Sequence, residues 1–194
     1  MTTPAAPVWA PWTSFYDPTG QGPNLTPQLA ADGHAVSFEL NDFLLSLPGQ
    51  GTGEDAVLVA ATALSGALSV GLPASYNLAG FLLVVRGNLE GSALTEAAVS
   101  CAIGHSTQSL SWPPPASPTG AWSGSRSGRD GAPTLATDFS LQCFTNDTSP
   151  GGAGESTSLP PIPITLSMQA RRRTADELII VQIESIDVVM LGLP

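Results

Sequence analysis

The sequence predicts an all-β protein: an antiparallel β-sandwich of jelly-roll-like build, with about eight to nine strands joined by long Pro/Gly/Ser-rich loops. Three observations predict it. Apolar and polar residues alternate with period two in segment after segment, the pattern of half-buried strands. Helical periodicity never lasts beyond a turn or two; the best candidates, Pro27 to Ala31 and Ser92 to Ala98, are too short to stand as helices. Twenty glycines and 18 prolines punctuate the alternating runs and place turns between them. No internal repeat is visible, which sets propellers and solenoids aside.

Residues 1–33 read as an extended N-terminal arm, and 34–194 as a single sandwich domain. The arm holds six prolines, which fix φ and remove hydrogen-bond donors, so neither a long helix nor a central strand fits. It also carries Trp9, Trp12, Phe15 and Tyr16, four aromatics that are costly to leave in water. They pack either on their own domain or on a neighbouring subunit, which makes them candidate assembly residues.

Val36, Phe38 and Leu40 then alternate with Ser37, Glu39 and Asn41 as a half-buried strand. The phase flips at Asn41-Asp42, since Phe43, Leu45 and Leu47 have the opposite parity; a bulge or a change of sheet would account for it. Ala56 to Val70 is a long apolar run with a break near Ser65-Gly66. Phe81 to Val85 is apolar on both faces, as in a covered central strand. Ala97 to Ile103 and Thr107 to Trp112, joined at Gly104-His105-Ser106, read as a short hairpin. Pro113 to Pro133 is low in complexity and reads as a long loop. Thr134 to Phe144 is a strand, followed by a Gly/Ser/Thr loop over 145–163. Ile164 to Ala170 and Leu178 to Leu191, separated by the polar turn Arg171 to Glu177, read as a β-hairpin of strong β-formers.

Composition excludes several classes of function. The chain has no lysine, six arginines and 16 acidic residues, for a formal charge of −10. Clustered positive charge for phosphate or anionic lipid is missing, so neither a nucleic-acid partner nor docking on an acidic membrane is expected. No apolar run is long enough for a transmembrane helix; Leu178 to Leu191 is short and carries Gln182, Glu184 and Asp187. Met1 to Pro11 lacks the basic start of a signal peptide, so a chain made without a leader and one stripped of it both remain open. Charged residues make up 11%, less than half the usual share, and Ser, Thr, Gly, Pro and Ala fill the gap. That surface suits an extracellular, cell-surface or virion-surface setting.

Cys101 and Cys143 share parity with apolar neighbours and should both face inward. A disulfide between them, closing a loop of about 40 residues, would contribute roughly 4 kcal/mol; two reduced core cysteines are the alternative.

No residue pattern carries a catalytic or metal motif. His34 and His105 read as cap and turn residues, because a cupin-type centre needs His-x-His with a Glu and a later His. Ser123-Gly124-Ser125 is not a nucleophile elbow. Glu39 with Asp42, and Asp176 with Glu177, read as solvated acids rather than a glycosidase pair. Asp17 to Asn24 has oxygen ligands and turn glycines without EF-hand spacing. Arg171-Arg172-Arg173 reads as a charged hairpin tip that keeps a strand edge from sticking. Asn24-Leu25-Thr26 and Asn146-Asp147-Thr148 fit the glycosylation tripeptide. No cofactor is expected. The leading expectation is a non-enzymatic structural subunit that self-associates into an extracellular, surface, filament or virion-type lattice. The alternative is a secreted carbohydrate-binding module whose loop tryptophans, Trp122 first and Trp112 beside it, stack on sugar rings.

Overall fold

The computed structural model describes residues 6–10, 13–16, 25, 27–41, 43–47, 59–74, 76–92, 96–112, 122–129, 132–146, 157–172 and 177–193. The chain is all-β, 78% strand with no helix among these residues. Its strands are β1 (Val8–Trp9), β2 (Thr13–Tyr16), β3 (Pro27–Leu29), β4 (Ala35–Glu39), β5 (Leu44–Leu47), β6 (Val59–Leu68), β7 (Val70–Leu72) and β8 (Asn77–Ser92). There follow β9 (Glu96–Ile103), β10 (Ser106–Trp112), β11 (Trp122–Arg129), β12 (Ala132–Thr145), β13 (Thr157–Ser158), β14 (Ile162–Arg171) and β15 (Ile179–Leu193). The count exceeds the expected eight or nine because short edge pieces join the long strands.

Every pairing is antiparallel. One sheet runs β10-β9-β14-β6-β2 and a second runs β11-β12-β8-β15-β4-β3, with β5 also on β15; a small sheet, β1-β7-β13, lies apart from both. The two large sheets meet through β9 and β10 against β12 and through β5 against β6 and β14, the arrangement of a β-sandwich. Alternation explains why. On β14 Ile162, Ile164, Leu166, Met168 and Ala170 are buried while the residues between them face outward. On β9 Ala97, Val99, Cys101 and Ile103 do the same, and on β8 Phe81, Leu83 and Val85 are fully buried. These side chains form one continuous core between the sheets.

The phase flip at Asn41 has a specific partner. β4 pairs with Ser185–Val189 of β15 and β5 with Ile179–Gln182, and the register of β15 against β8 shifts between Ile183 and Ser185. Leu40 N donates to Glu184 O at 2.7 Å, and Ile183 N to Phe43 O at 3.1 Å. The extra residue of β15 therefore matches the parity change, and Leu40 and Phe43 both remain buried. No change of sheet occurs there.

Three expectations are corrected. First, β14 and β15 are not a hairpin: β14 pairs with β6 and β9, while β15 pairs with β8, β4 and β5 in the opposite sheet. Each strand buries its inward face against long-range neighbours, and the segment between them crosses from sheet to sheet. Arg172 at this crossing is only 1% exposed, and its Nη1 donates to Glu177 O at 3.4 Å, so this member of the run is not solvated, whereas Arg171 is exposed. Second, part of the expected loop over 113–133 is strand, since β11 pairs residue for residue with β12 from Trp122↔Phe139 to Arg129↔Ala132. Its Gly/Ser-rich sequence has little strand preference of its own, and backbone pairing with β12 supplies the order. Third, Cys101 and Cys143 are buried free thiols on facing strands, not a disulfide. They act as small apolar core residues, and burial pushes the Cys101 thiol up to about 12, with the neighbouring Cys143 adding to the shift. The thiolate that would attack another sulfur is therefore disfavoured.

The break in the long run after Ala56 falls at Ser69 rather than Gly66, because β6 continues through Gly66 opposite Ile164. The β9–β10 hairpin turns at Gly104, whose φ of 58° suits glycine.

Candidate functional site

Across β6, β14, β9 and β10, from the Ala61 row to the Ala67 row, the outward positions hold mostly small residues, and Val59, 50% exposed, stands at the Arg171 end. β6 contributes Ala61, Ala63, Ser65 and Ala67, at positions opposite Gln169, Ser167, Thr165 and Pro163 of β14. β9 contributes Ala98, Ser100 and Ala102, opposite the same β14 row and opposite Ser111, Ser109 and Thr107 of β10. The hydroxyls of Ser100 and Ser167 are hydrogen-bonded at 2.6 Å across the strands. Along these rows the only charges stand at one end, where Arg171 is opposite Glu96. Arg171 Nη1 lies 3.7 Å from Glu96 Oε2, with the side chains 62% and 38% exposed. So open a pair contributes about 0–1 kcal/mol.

At this end the sheet is hollowed into a cleft of about 420 Å³. Ala98 sits between Ser111 and Gln169 in the row, and its short side chain leaves the floor low. Trp112, the last residue of β10, walls one side while packing against the core. Glu96 and Arg171 close the end. On the outward side the lining holds an amide with donor and acceptor, a hydroxyl and an opposed charge pair, while Trp112, opposite buried Ala97, has inward parity and packs on the core. Strands rather than loops hold these groups, which fixes their spacing.

The other expected site residues fall in separate places. Trp9 lies on β1 and its own domain holds it: Nε1 donates to Gly33 O at 2.8 Å, and the ring meets Phe81 edge-on with centroids 6.4 Å apart. Val8 and Trp9 pair with Gly71 and Val70, and Ala10 N donates to Ser69 O at 2.9 Å. Gly33, at φ 72°, lies so close that an added Cβ would stand 3.2 Å from Pro7 O. Phe15 and Tyr16 fall on β2, which lines the edge of the five-stranded sheet beside β6. Trp12 lies outside the described residues. Trp122 begins β11, an edge strand of the other sheet, so it and Trp112 belong to different sheets.

His34 follows a turn: its backbone N donates to Asp32 Oδ1 at 2.9 Å, its Nδ1 stands 3.3 Å from Asp32 Oδ2, and its ring tilts against Tyr76. The backbone bond from His34 is the main cause that lowers the Asp32 carboxyl pKa. His105 is exposed in the β9–β10 turn. Glu39 is exposed and accepts from Gln28 Nε2 at 3.2 Å. Glu177 is buried at the sheet crossing, while Asp42, Asp176, Arg173 and the segment 17–24 lie outside the described residues. On the outward face of the seven-stranded sheet Arg86 bonds Asp187, and Asn88 Nδ2 donates to Glu184 Oε1 at 2.7 Å. Sequence reasoning found Trp112 but missed Glu96, Ser111, Gln169 and Arg171 as its neighbours, since only strand register brings them together. Comparison with known proteins matches the chain to no family model and to no curated sequence.

Proposed function

We propose that the chain is a non-enzymatic jelly-roll subunit that self-associates into an extracellular, surface, filament or virion-type lattice. Strand order supports the jelly roll. Taking β4 with β5 as the first of eight principal strands, then β6, β8, β9, β10, β12, β14 and β15, one sheet reads first-eighth-third-sixth and the other second-seventh-fourth-fifth. The first strand lies beside the last, as two interlocked Greek keys require.

The observation that carries the assembly reading is the outward face of the five-stranded sheet. A sheet face turned to water normally carries long charged side chains. Here the rows from Ala61 to Thr107 hold Ala, Ser, Thr, Pro and one Gln, with charge only at the Glu96–Arg171 end. Small side chains let two such surfaces approach closely, lose little rotamer entropy and leave no charge to desolvate. The described parts of the arm lie on their own domain, so the sheet face rather than Trp9 supplies the contact.

Sedimentation of the full chain tests this. A self-associating subunit gives a mass several times 19.8 kDa. Ala63→Arg with Ala102→Arg, two outward substitutions on the face, returns the folded chain to monomer mass. A wild-type chain that stays at monomer mass across a wide concentration range overturns the reading.

A further inference from the structure

We propose that β10 is an assembly edge, which pairs antiparallel with β10 of a second copy and joins two five-stranded sheets into one. The inference rests on the self-association reading and adds the second contact that a lattice needs. Two outward faces laid on one another form an isologous pair and close at two copies, so larger assembly requires a further surface. Strand register locates it. Gly104, next after β9, donates its N–H to Pro163 O at 3.0 Å. Even-numbered positions along β9 therefore direct their backbone groups at β14, and odd-numbered ones at β10. Ile103, Cys101 and Val99 accordingly bond Ser106, Gln108 and Leu110, their partners in register. The N–H and C=O groups of Thr107, Ser109 and Ser111 point the other way. All three residues are exposed, and no strand pairs with β10 on that side among the described residues.

Nothing in β10 guards this edge. Ser106–Trp112 has no charge, proline or glycine, and its register with β9 runs unbroken. Other edges of the two large sheets differ. β3 and β5 are short, β3 starting at Pro27; β2 has an irregular register against β6; β11 carries Arg126 and Arg129. The sequence of β10 also suits its own copy. A two-fold axis through Ser109 sets Ser109 opposite itself and Thr107 opposite Ser111 of the second copy. Each of these pairs exchanges both backbone bonds, and hydroxyl side chains meet hydroxyl side chains. No like charges oppose each other, although the chain carries −10 overall. A foreign strand would need pockets for its side chains, whereas self-pairing needs none. The axis stands perpendicular to the sheet, so the outward faces of both copies point the same way and remain open to the face contact. Leu110 is already buried, so the edge adds little apolar burial and holds only where the face contact has brought copies together.

Cross-linking and sedimentation of the full chain test the proposal. Cα atoms at a hydrogen-bonded antiparallel pair stand about 5.5 Å apart, within disulfide range. On mild oxidation Ser109→Cys therefore gives a covalent dimer on a non-reducing denaturing gel, while Gln108→Cys, off the axis, gives little. Cys101 and Cys143 are buried and do not compete. Ser109→Pro removes an outward N–H, leaves the β9 ladder intact and lowers the sedimenting mass from several times 19.8 kDa to about twice that value, the face-paired dimer. Circular dichroism establishes that the proline variant folds. Ser109→Lys, which sets like charges opposite each other across the axis, lowers the mass in the same way without a backbone change. A wild-type assembly whose mass Ser109→Lys leaves unmoved overturns the edge and leaves the face contact standing, as does the absence of a covalent dimer from Ser109→Cys. A wild-type chain at monomer mass overturns both.

Discussion

Gly87→Ala is expected to be among the most damaging single-methyl additions in the chain. Gly87 lies in the middle of β8, opposite Phe139 of β12 and Ile183 of β15, immediately before the register shift at Ile183/Ser185. A Cβ built there would stand 2.0 Å from the Gln182 carbonyl oxygen and 2.7 Å from Phe139 Cζ. The first obstacle is backbone in a central strand and cannot rotate aside. Opening that contact to ordinary van der Waals distance needs a shift of more than an ångström in strands paired on both sides. Overpacking a rigid core typically costs about 1–3 kcal/mol, and a backbone obstacle places this case at about 3 kcal/mol or above. Gly71→Ala is the control, since its Cβ would meet only Val8 O, at 3.8 Å, and its effect should stay within about 0.5 kcal/mol. Urea unfolding of both variants, followed by circular dichroism with the slope held common, measures the difference. A Gly87→Ala cost below about 1 kcal/mol would refute the account of β8 and β15 as closely approached at this bulge.

Three further outcomes follow from the packing. Trp9→Ala should cost about 2–3 kcal/mol, below the range for fully buried tryptophan, and leave the particle mass unchanged, whereas Val8→Ala at a 69% exposed position should cost under about 0.5 kcal/mol; thermal melts with sedimentation check both. A thiol reagent should find no reactive cysteine in the native chain near neutral pH and two after denaturation without reductant; one or no thiol in the denatured chain would contradict the free pair. Stability should fall as pH rises from about 9 toward 12. The Cys101 thiol ionises near its ordinary value when unfolded but only at about 12 when folded, so high pH favours the unfolded chain. Tyr76, raised by desolvation, acts in the same direction, and Cys101→Ala should flatten the pH dependence without removing it.

Alternation revealed the long strands because each has one dry face and one wet face. Val36 to Leu40, Ala97 to Ile103 and Ile164 to Ala170 could be placed, inward residues included, from period two alone. Alternation states which side of a strand is buried but not which strand lies next to it. Adjacent β-formers at 164–170 and 178–191 therefore resembled a hairpin, although β14 and β15 belong to opposite sheets. β11 was illegible for another reason: Trp-Ser-Gly-Ser-Arg-Ser-Gly-Arg carries no apolar rhythm, and its strand state comes from β12. Trp112 stood out as a candidate because an indole beside a loop is a side chain on which sugar rings stack. Gln169 and Arg171 looked like ordinary outward residues, and nothing short of their register with Ala98 and Glu96 connects them to it. Arg172 appeared solvated within its run of three, but the crossing between sheets buries it.

The position of β15 governs how the chain can acquire its fold. This strand, the last in sequence order among the described residues, lies inside the seven-stranded sheet, between β8 on one side and β4 with β5 on the other. Until it has been synthesised, β5 lacks its partner, β4 has only the short β3 beside it, and β8 presents an open edge to its surroundings. The sheet therefore closes only after β15 has emerged, about a hundred residues after β8, and folding joins segments that lie far apart along the chain, which makes it slow. During that interval the exposed edge of β8 can recruit a strand from another nascent chain. Loss of the 15 residues of β15 would remove the strand that joins the two halves of the sheet.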